Sequence, residues 1–349
     1  MSDMAETLAE SVRDLCRRHC DRDLQAQIEA GRWPAAVWQA VEDSGLCDAL
    51  LPESAGGPGI GRADALSLAV PLGEAAMPLP ILETMLARGL LHEAGLAIPA
   101  GPLSLAAERS DAFELTLANG TARLAGQGHR VPYAGKVDHI VVLARSAAGP
   151  QLALLRTADC AIAPATSLAD EPRDGVRAEG VTPVAMAATT LAAADLAAAM
   201  AVLRSAQIAG ALKTVLRLAS EYAALRKQFG RSLSRFQAIQ HSLAQLVEQT
   251  AAAIAAADAG IEAIADDRDP VLVAAAKIRT GEAAGAGAAI AHQVLGAIGY
   301  TREHDLNLFT RRLWSWRDEY GNEAAWSRRL GRRLVAAGAN RLWQGLTAS

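Results

Sequence analysis

Two stretches of this chain carry residue types suited to holding an anion. The first is Glu221-Tyr222-Ala223-Ala224-Leu225-Arg226-Lys227-Gln228-Phe229-Gly230-Arg231-Ser232, continuing through Phe236-Gln237-Ala238-Ile239-Gln240-His241. A helix ending in Arg-Lys-Gln-Phe-Gly sets two cations beside a glycine turn, where backbone N–H groups are exposed. That arrangement suits a pyrophosphate. The same residues also read as an ordinary helix C-terminus, with cations against the dipole and a glycine cap. The second stretch is Ala291-His292-Gln293-Val294-Leu295-Gly296-Ala297-Ile298-Gly299-Tyr300-Thr301-Arg302-Glu303. Glycines three apart after an Ala-rich helix permit close approach by a ligand or a partner chain, and Gln293 both donates and accepts. By spacing alone it is a tight helix junction.

Other clusters point to less. Cys16-Arg17-Arg18-His19-Cys20 has metal-binding residue types, but no second Cys/His cluster completes a site, so no metal is expected. Gly56-Gly57-Pro58-Gly59-Ile60-Gly61 follows helical sequence rather than the strand of a βαβ unit, which separates it from a dinucleotide fingerprint. A phosphate-binding loop of the G-x-x-x-x-G-K-[ST] kind and a nucleophile elbow are both missing.

These segments sit in a chain of 349 residues with 34 Lys+Arg against 38 Asp+Glu, a formal net charge of −4. The mild acidity argues against a dedicated nucleic-acid binder. Hydrophobic residues make up 51% and charged residues 21%, which excludes a disordered chain. Four cysteines are too few for a disulfide scaffold. Met1-Ser2-Asp3-Met4-Ala5-Glu6 lacks the cationic start of a signal peptide. The uncharged run from Ala283 to Thr301 lacks the bulky aliphatics of a membrane span. A cytoplasmic protein with no membrane partner is expected.

Three textures follow one another, an α+β arrangement that is mainly α. Over residues 1–102 apolar residues recur at helical spacing, as in Leu8, Val12, Leu15 and Cys16, and Trp33-Pro34 opens a helix. Over 103–190, Phe113-Glu114-Leu115-Thr116-Leu117 alternates and Asn119-Gly120 signals a hairpin. Val137 to Ala144, Gln151 to Leu155 and Gly175 to Pro183 complete a small antiparallel β domain. From 191 to 349 the helical period returns, with helices over Leu191–Arg226 and Phe236–Asp266 and a third from Asp269-Pro270 to His292. After a break at Gly296 to Tyr300, a last helical region runs from His304 and is broken near Gly321.

Taken together, the two anion-suited stretches resemble the signatures of the acyl-CoA dehydrogenase family. Arg226-Lys227-Gln228-Phe229-Gly230 is similar to its R-x-x-F-G, and Gln293-Val294-Leu295-Gly296-Ala297-Ile298-Gly299-Tyr300 to its Q-x-x-G-G-x-G-[YF]. Leu51-Pro52-Glu53 with Gly56-Gly57-Pro58-Gly59 resembles V-P-E-x-x-G-G-x-G. The resemblance implies an N-terminal helical domain, a middle β domain and a C-terminal four-helix bundle assembling as dimers or tetramers. It implies FAD, with Arg226, Gln228 and Phe229 at the pyrophosphate, and Gln293, Gly296 and Ala297 at the adenosine diphosphate of a neighbouring subunit. The implied reaction is α,β-dehydrogenation of an acyl-CoA thioester. A glutamate takes the α-proton, FAD accepts hydride, and an electron-transferring flavoprotein receives the electrons.

The pattern breaks where the base is expected. Counting from Gly296, the family's catalytic glutamate falls on Tyr320, and Glu319 stands one position early. One helical position rotates a side chain by about 100°, so Glu319 serves as base only if the register shifts. The alternative place for a base, counted back from Gly230, falls near Met200. The family's C-x-T-E-P-x-x-G-S-D and W-I-T-N segments have no counterpart between Leu103 and Gly135, although Val131-Pro132-Tyr133-Ala134 occupies a comparable place. Trp314, Trp316, Tyr320 and Trp326 read as subunit-interface packing, with Arg311, Arg312, Arg317 and Asp318 pairing across it. Two functions follow: a competent dehydrogenase using Glu319, or a non-catalytic subunit completing the FAD site of a longer homologue in a heterotetramer. A nitroalkane oxidase or flavin monooxygenase is a third reading.

Overall fold

The computed structural model describes residues 3–108, 111–118, 120–266 and 269–338. The chain divides into two compact units, one of Met1–Ala65 and Met77–Met200, the other of Leu66–Ala76 and Ala201–Ser349.

In the first unit, α1 (Asp3–His19), α2 (Arg22–Glu29) and α3 (Ala35–Asp43) precede α4 (Arg62–Ser67), which runs to its edge. Ala5, Ala9, Val12, Leu15 and Cys16 form the buried stripe of α1. Asp21 caps α2 by accepting from the Leu24 N–H at 2.8 Å. The loop of glycines is a packing device: a Cβ on Gly57 would lie 2.1 Å from the Leu51 carbonyl oxygen. In the second unit's upstream piece lies α5 (Ala69–Glu74), and back in the first lies α6 (Ile81–Glu93), buried from Ile81 to Leu91. Its Arg88 is neutralised by Glu42 and Asp48, each at 2.8 Å, as a cation in a core requires.

The sheet comprises β1 (Leu103–Leu105), β2 (Ala112–Ala118), β3 (Thr121–Pro132), β4 (His139–Ser146), β5 (Gly149–Arg156), β6 (Ala161–Ala163), β7 (Arg173–Val181) and β8 (Ala185–Ala188). Its order is β6-β7-β3-β2-β4-β5-β8, with β1 beside β4. Most pairs are antiparallel, but β1 and β2 each run parallel to β4, so the sheet is mixed. Of the expected β2–β3 turn, Asn119 lies outside the described residues, while Gly120 has φ +76°. β3 has no counterpart among the sequence-based strands. Gly126 and Gly128 and a register shift between Gly128 and Val131 erase its alternation. A Cβ on Gly126 would lie 2.1 Å from the Ala112 carbonyl oxygen, so the glycine lets β2 and β3 meet. Past the bulge Tyr133 has φ +54°, and its hydroxyl donates to the Pro78 carbonyl at 2.5 Å.

The second unit is helical. α7 (Ala193–Leu225) leads through a hairpin of β9 (Lys227–Gln228) and β10 (Arg231–Ser232) to α8 (Gln237–Ala265) and α9 (Pro270–Leu295). A 3₁₀ turn over Gly296–Tyr300 joins α10 (Leu306–Asp318), and α11 (Glu323–Ala337) follows. Asp269 caps α9 and Asn322 caps α11. Leu212, Val215, Leu246, Ala284, Ala288, Leu306, Leu313 and Trp316 belong to one buried core. α7 is long and apolar enough to cross a membrane, yet most of its apolar stretch is buried in the protein.

Small residues set the helix spacing. A Cβ on Gly210 of α7 would lie 2.0 Å from the Val70 carbonyl oxygen of α5, and one on Gly73 would lie 2.2 Å from that of Gln207. The two helices therefore touch backbone to backbone, and Lys213 pairs with Glu74 beside the contact. Gly210→Ala is expected to destabilise the protein by about 2–3 kcal/mol through overpacking, read as a lower midpoint in chemical denaturation followed by circular dichroism.

Candidate functional site

The Arg226 segment forms an exposed tip. Gln228 pairs with Arg231, and the two residues between them, Phe229 (φ +50°) and Gly230 (φ +78°), are both left-handed. Such a two-residue turn matches the twist of antiparallel strands. Gly230 adopts it freely, whereas a phenylalanine there is strained, and strain of this kind gathers at functional sites. The Phe229 ring is 90% exposed. It stands edge-on to Phe236, 6.2 Å away, and the Arg231 guanidinium lies 4.1 Å from the centre of the Phe236 ring. The side chains of Arg226, Lys227 and Gln228 are exposed and make no hydrogen bond or ion pair among the described residues. Arg226 borders an open pocket of ≈ 390 Å³ with Leu218, Glu221, Tyr222, Leu225 and His304.

The Gln293 segment closes α9. Gly296 has φ +68° and ψ −147°, a conformation essentially reserved for glycine. Gln293, Gly296 and Ala297 are exposed. Gly299 is the tight position, where a Cβ would lie 3.1 to 3.2 Å from Leu306, His292 and Leu295. Beneath, His292 is buried, its Nε2 3.1 Å from the Thr310 hydroxyl. Its ring stacks on Tyr300 at 3.9 Å and on Trp314 at 5.7 Å. Burial pulls its pKa below the ordinary histidine value, which favours the neutral ring. Tyr300 keeps 68% of its surface exposed and presents a flat aromatic face beside Gly296.

Glu319 lies elsewhere, at the turn between α10 and α11, and it faces inward. Its Oε2 accepts from Arg204 Nε at 2.6 Å, with the two side chains 6% and 2% exposed. Arg204 also donates to Gln207 Oε1 at 2.6 Å. Lys277, fully buried on α9, donates to the carbonyls of Trp316 at 2.6 Å and Arg317 at 2.8 Å, at the end of α10. Tyr320 is left-handed (φ +57°) and buried, and its carbonyl accepts from Trp326 Nε1 at 3.1 Å. Arg204 and Lys277 escaped the sequence reading. The available signal was a cation set among apolar residues in each of two Ala-rich helices, and Arg204 stands four residues after Met200.

Several of the aromatic and charged residues expected at a subunit interface are engaged within the chain. Trp316, Tyr320 and Trp326 are buried. Arg312 is buried with Nη1 donating to the Leu308 carbonyl at 3.0 Å. Arg317 Nε pairs with both Glu323 carboxylate oxygens at 3.0 and 2.9 Å, which holds the Glu323 carboxyl below its ordinary pKa. The pair sits over Gly281 and Gly285, where a Cβ would lie 3.0 Å from Glu323 and 3.2 Å from Arg317. Among the described residues no three His, Cys, Asp or Glu side chains gather as a metal site.

Residues 2–96 match the acyl-CoA dehydrogenase N-terminal domain model, and residues 185–334 match the C-terminal domain model. The acyl-CoA dehydrogenase IpdE2 of Mycobacterium tuberculosis is 31% identical over 313 residues, 88% of this chain and 90% of that protein. The chain belongs to the acyl-CoA dehydrogenase family. Solved structures give the same fold. The ChsE4-ChsE5 complex from Mycobacterium tuberculosis matches with TM-score 0.88 at 22% identity, covering 96% of this chain and 98% of that one. A steroid acyl-CoA dehydrogenase, Tcur3481-Tcur3483, matches with TM-score 0.87 at 21% identity, covering 97% and 99%.

The family's members are FAD-binding oxidoreductases acting on CH–CH bonds, and the exposed residues here fit that cofactor's diphosphate. Arg226 and Lys227 project beside a tip whose amides at Phe229 and Gly230 have no backbone partner among the described residues. Gly296 adds a side-chain-free approach. Arg226, Gln228 and Phe229 would hold the pyrophosphate, and Gln293, Gly296 and Ala297 the adenosine diphosphate. FAD, when bound, supplies the two-electron acceptor.

Burial pushes Lys277 down to about 7 from its ordinary 10.5. Between those values the unfolded chain binds more protons than the folded one, so this lysine makes stability rise with pH over that window. Wild type should therefore gain in Tm relative to Lys277→Met between pH 7 and pH 9 in scanning calorimetry.

Proposed function

We propose that the chain is a cytoplasmic flavoprotein subunit that carries out α,β-dehydrogenation of a bulky acyl-CoA thioester of the steroid side-chain type. The observation that carries this reading is the unengaged cationic tip at Arg226, Lys227 and Gln228, with strained Phe229, retained alongside the Gly296 junction. A strained aromatic left almost wholly in water favours a ligand or partner that covers it. The substrate class rests on the steroid acyl-CoA dehydrogenase whose fold this chain shares. An acidic chain with four free cysteines suits a reducing compartment. An acyl-CoA substrate, an electron-transferring flavoprotein as redox partner, and a homodimer, homotetramer or heterotetramer are the associations that follow.

A second reading is favoured by one feature. The Glu319 carboxylate is tied to Arg204, as suits a subunit that completes the FAD site of a longer homologue supplying the base. A chain of the ChsE4-ChsE5 complex shares this fold.

The visible spectrum of the purified chain, with FAD and acyl-CoA esters added, tests both. Yellow protein that bleaches anaerobically with substrate establishes the self-sufficient enzyme. Colour that forms only after mixing with a homologue establishes the completing subunit. In whichever assembly holds FAD, Arg226→Ala should raise its dissociation constant by roughly 10- to 100-fold, the worth of a charge-assisted hydrogen bond, as read by flavin fluorescence on ultrafiltration.

A further inference from the structure

The turn over residues 316–321 is tethered by side chains of three helices. Donors reach it from three different helices: Arg204 of α7 to the Glu319 carboxylate, Lys277 of α9 to the Trp316 and Arg317 carbonyls, and Trp326 of α11 to the Tyr320 carbonyl. The Glu319 N–H also bonds the Ser315 carbonyl at 3.1 Å. Together these contacts hold Tyr320 and Gly321 left-handed, φ +57° and +98°. Such a conformation persists when its surroundings over-determine it.

Glu319 also meets an electrostatic need. Arg204 brings a cation into a bundle interior, joined by Lys277 when it is protonated, and an unpaired buried charge is strongly destabilising. Glu319 is the carboxylate hydrogen-bonded to Arg204, and it is among the charges felt by Lys277. A proton acceptor must come within hydrogen-bond reach of the atom it deprotonates. Here the carboxylate is buried and turned onto a guanidinium, and releasing it would break a buried ion pair.

We propose that Glu319 is a positioning residue, the counter-ion that with Arg204 and Lys277 locks the 316–321 turn, and that this turn supplies no base for α-proton removal. The proposal rests on reading the chain as an acyl-CoA dehydrogenase, but its structural half is tested without flavin. Tm is measured for wild type, Arg204→Met, Glu319→Leu, Glu319→Gln and Arg204→Met/Glu319→Leu. Each single change should lower Tm by roughly 5 °C or more, and the apolar double variant should recover most of that loss. Additive losses, or a Glu319→Gln variant as stable as wild type, would overturn the proposal. Should single variants not fold, a folded double variant still shows the coupling, and an unfolded double variant counts against it.

The second readout is anaerobic flavin reduction by a C8 acyl-CoA and by a steroid-side-chain CoA thioester. It uses the FAD-loaded chain, alone or with the homologue that completes it. The folded double variant should keep within about tenfold of the wild-type rate with the same pH profile. A loss beyond a thousandfold in a folded protein identifies Glu319 as the base after all. A wild-type chain that shows no reduction alone agrees with a turn that carries no base. Failure to bind FAD in any assembly defeats the functional reading while leaving the Tm cycle to decide the role of Glu319.

Discussion

Glu319 and Arg204 form a buried ion pair that ties the turn between α10 and α11 to α7. Buried charge is tolerated only when paired, and this bundle is packed too closely to hydrate what it encloses. Ala and Gly at the contacts bring helices together: Gly260 faces Ala276, and Gly287 faces Leu212, where a Cβ would lie 2.6 Å from the Leu212 side chain. Close packing removes water, and the missing water makes the counter-ion obligatory. Next to that pair stand the left-handed Tyr320 and Trp326, whose indole donates to the Tyr320 carbonyl.

The two halves of the family signature have had different fates in this chain. The residues expected at the cofactor lie at the surface: Arg226, Gln228 and Phe229 on a tight hairpin, Gln293, Gly296 and Ala297 at a helix end. The residue nearest the base position has been drawn into the interior. A fold can keep one part of a reaction's machinery while another becomes structural, because function lives in particular sites and not in the scaffold.

Much of this was legible from residue patterns. Leu191–Arg226 became Ala193–Leu225, and Asp269-Pro270 proved to be a helix start because Pro fits the first turn and Asp caps it. β3 was hidden because Gly126 and Gly128 leave no alternation to read. The orientation of Glu319 was hidden for a deeper reason: its partner lies 115 residues away. Periodicity reports which face of a helix is buried, but not which distant charge waits there. The same limit made Trp316 and Trp326 look like interface residues, since an aromatic that is buried reads alike whether its neighbours belong to one chain or two.

The α5 segment carries a consequence for how the molecule is built. Leu66–Ala76 packs with the C-terminal helices, although the residues on either side of it belong to the other unit. Thr214 donates to the Glu74 carbonyl across a separation of 140 residues. On the ribosome this short helix emerges long before the helix that receives it. It must wait, with one face unsatisfied, while the entire sheet is synthesised. Closing so long a loop is slow, and the helical unit is not complete until it closes. The helical unit is thus discontinuous in sequence, and neither unit is a module that could be exchanged by cutting at a single point.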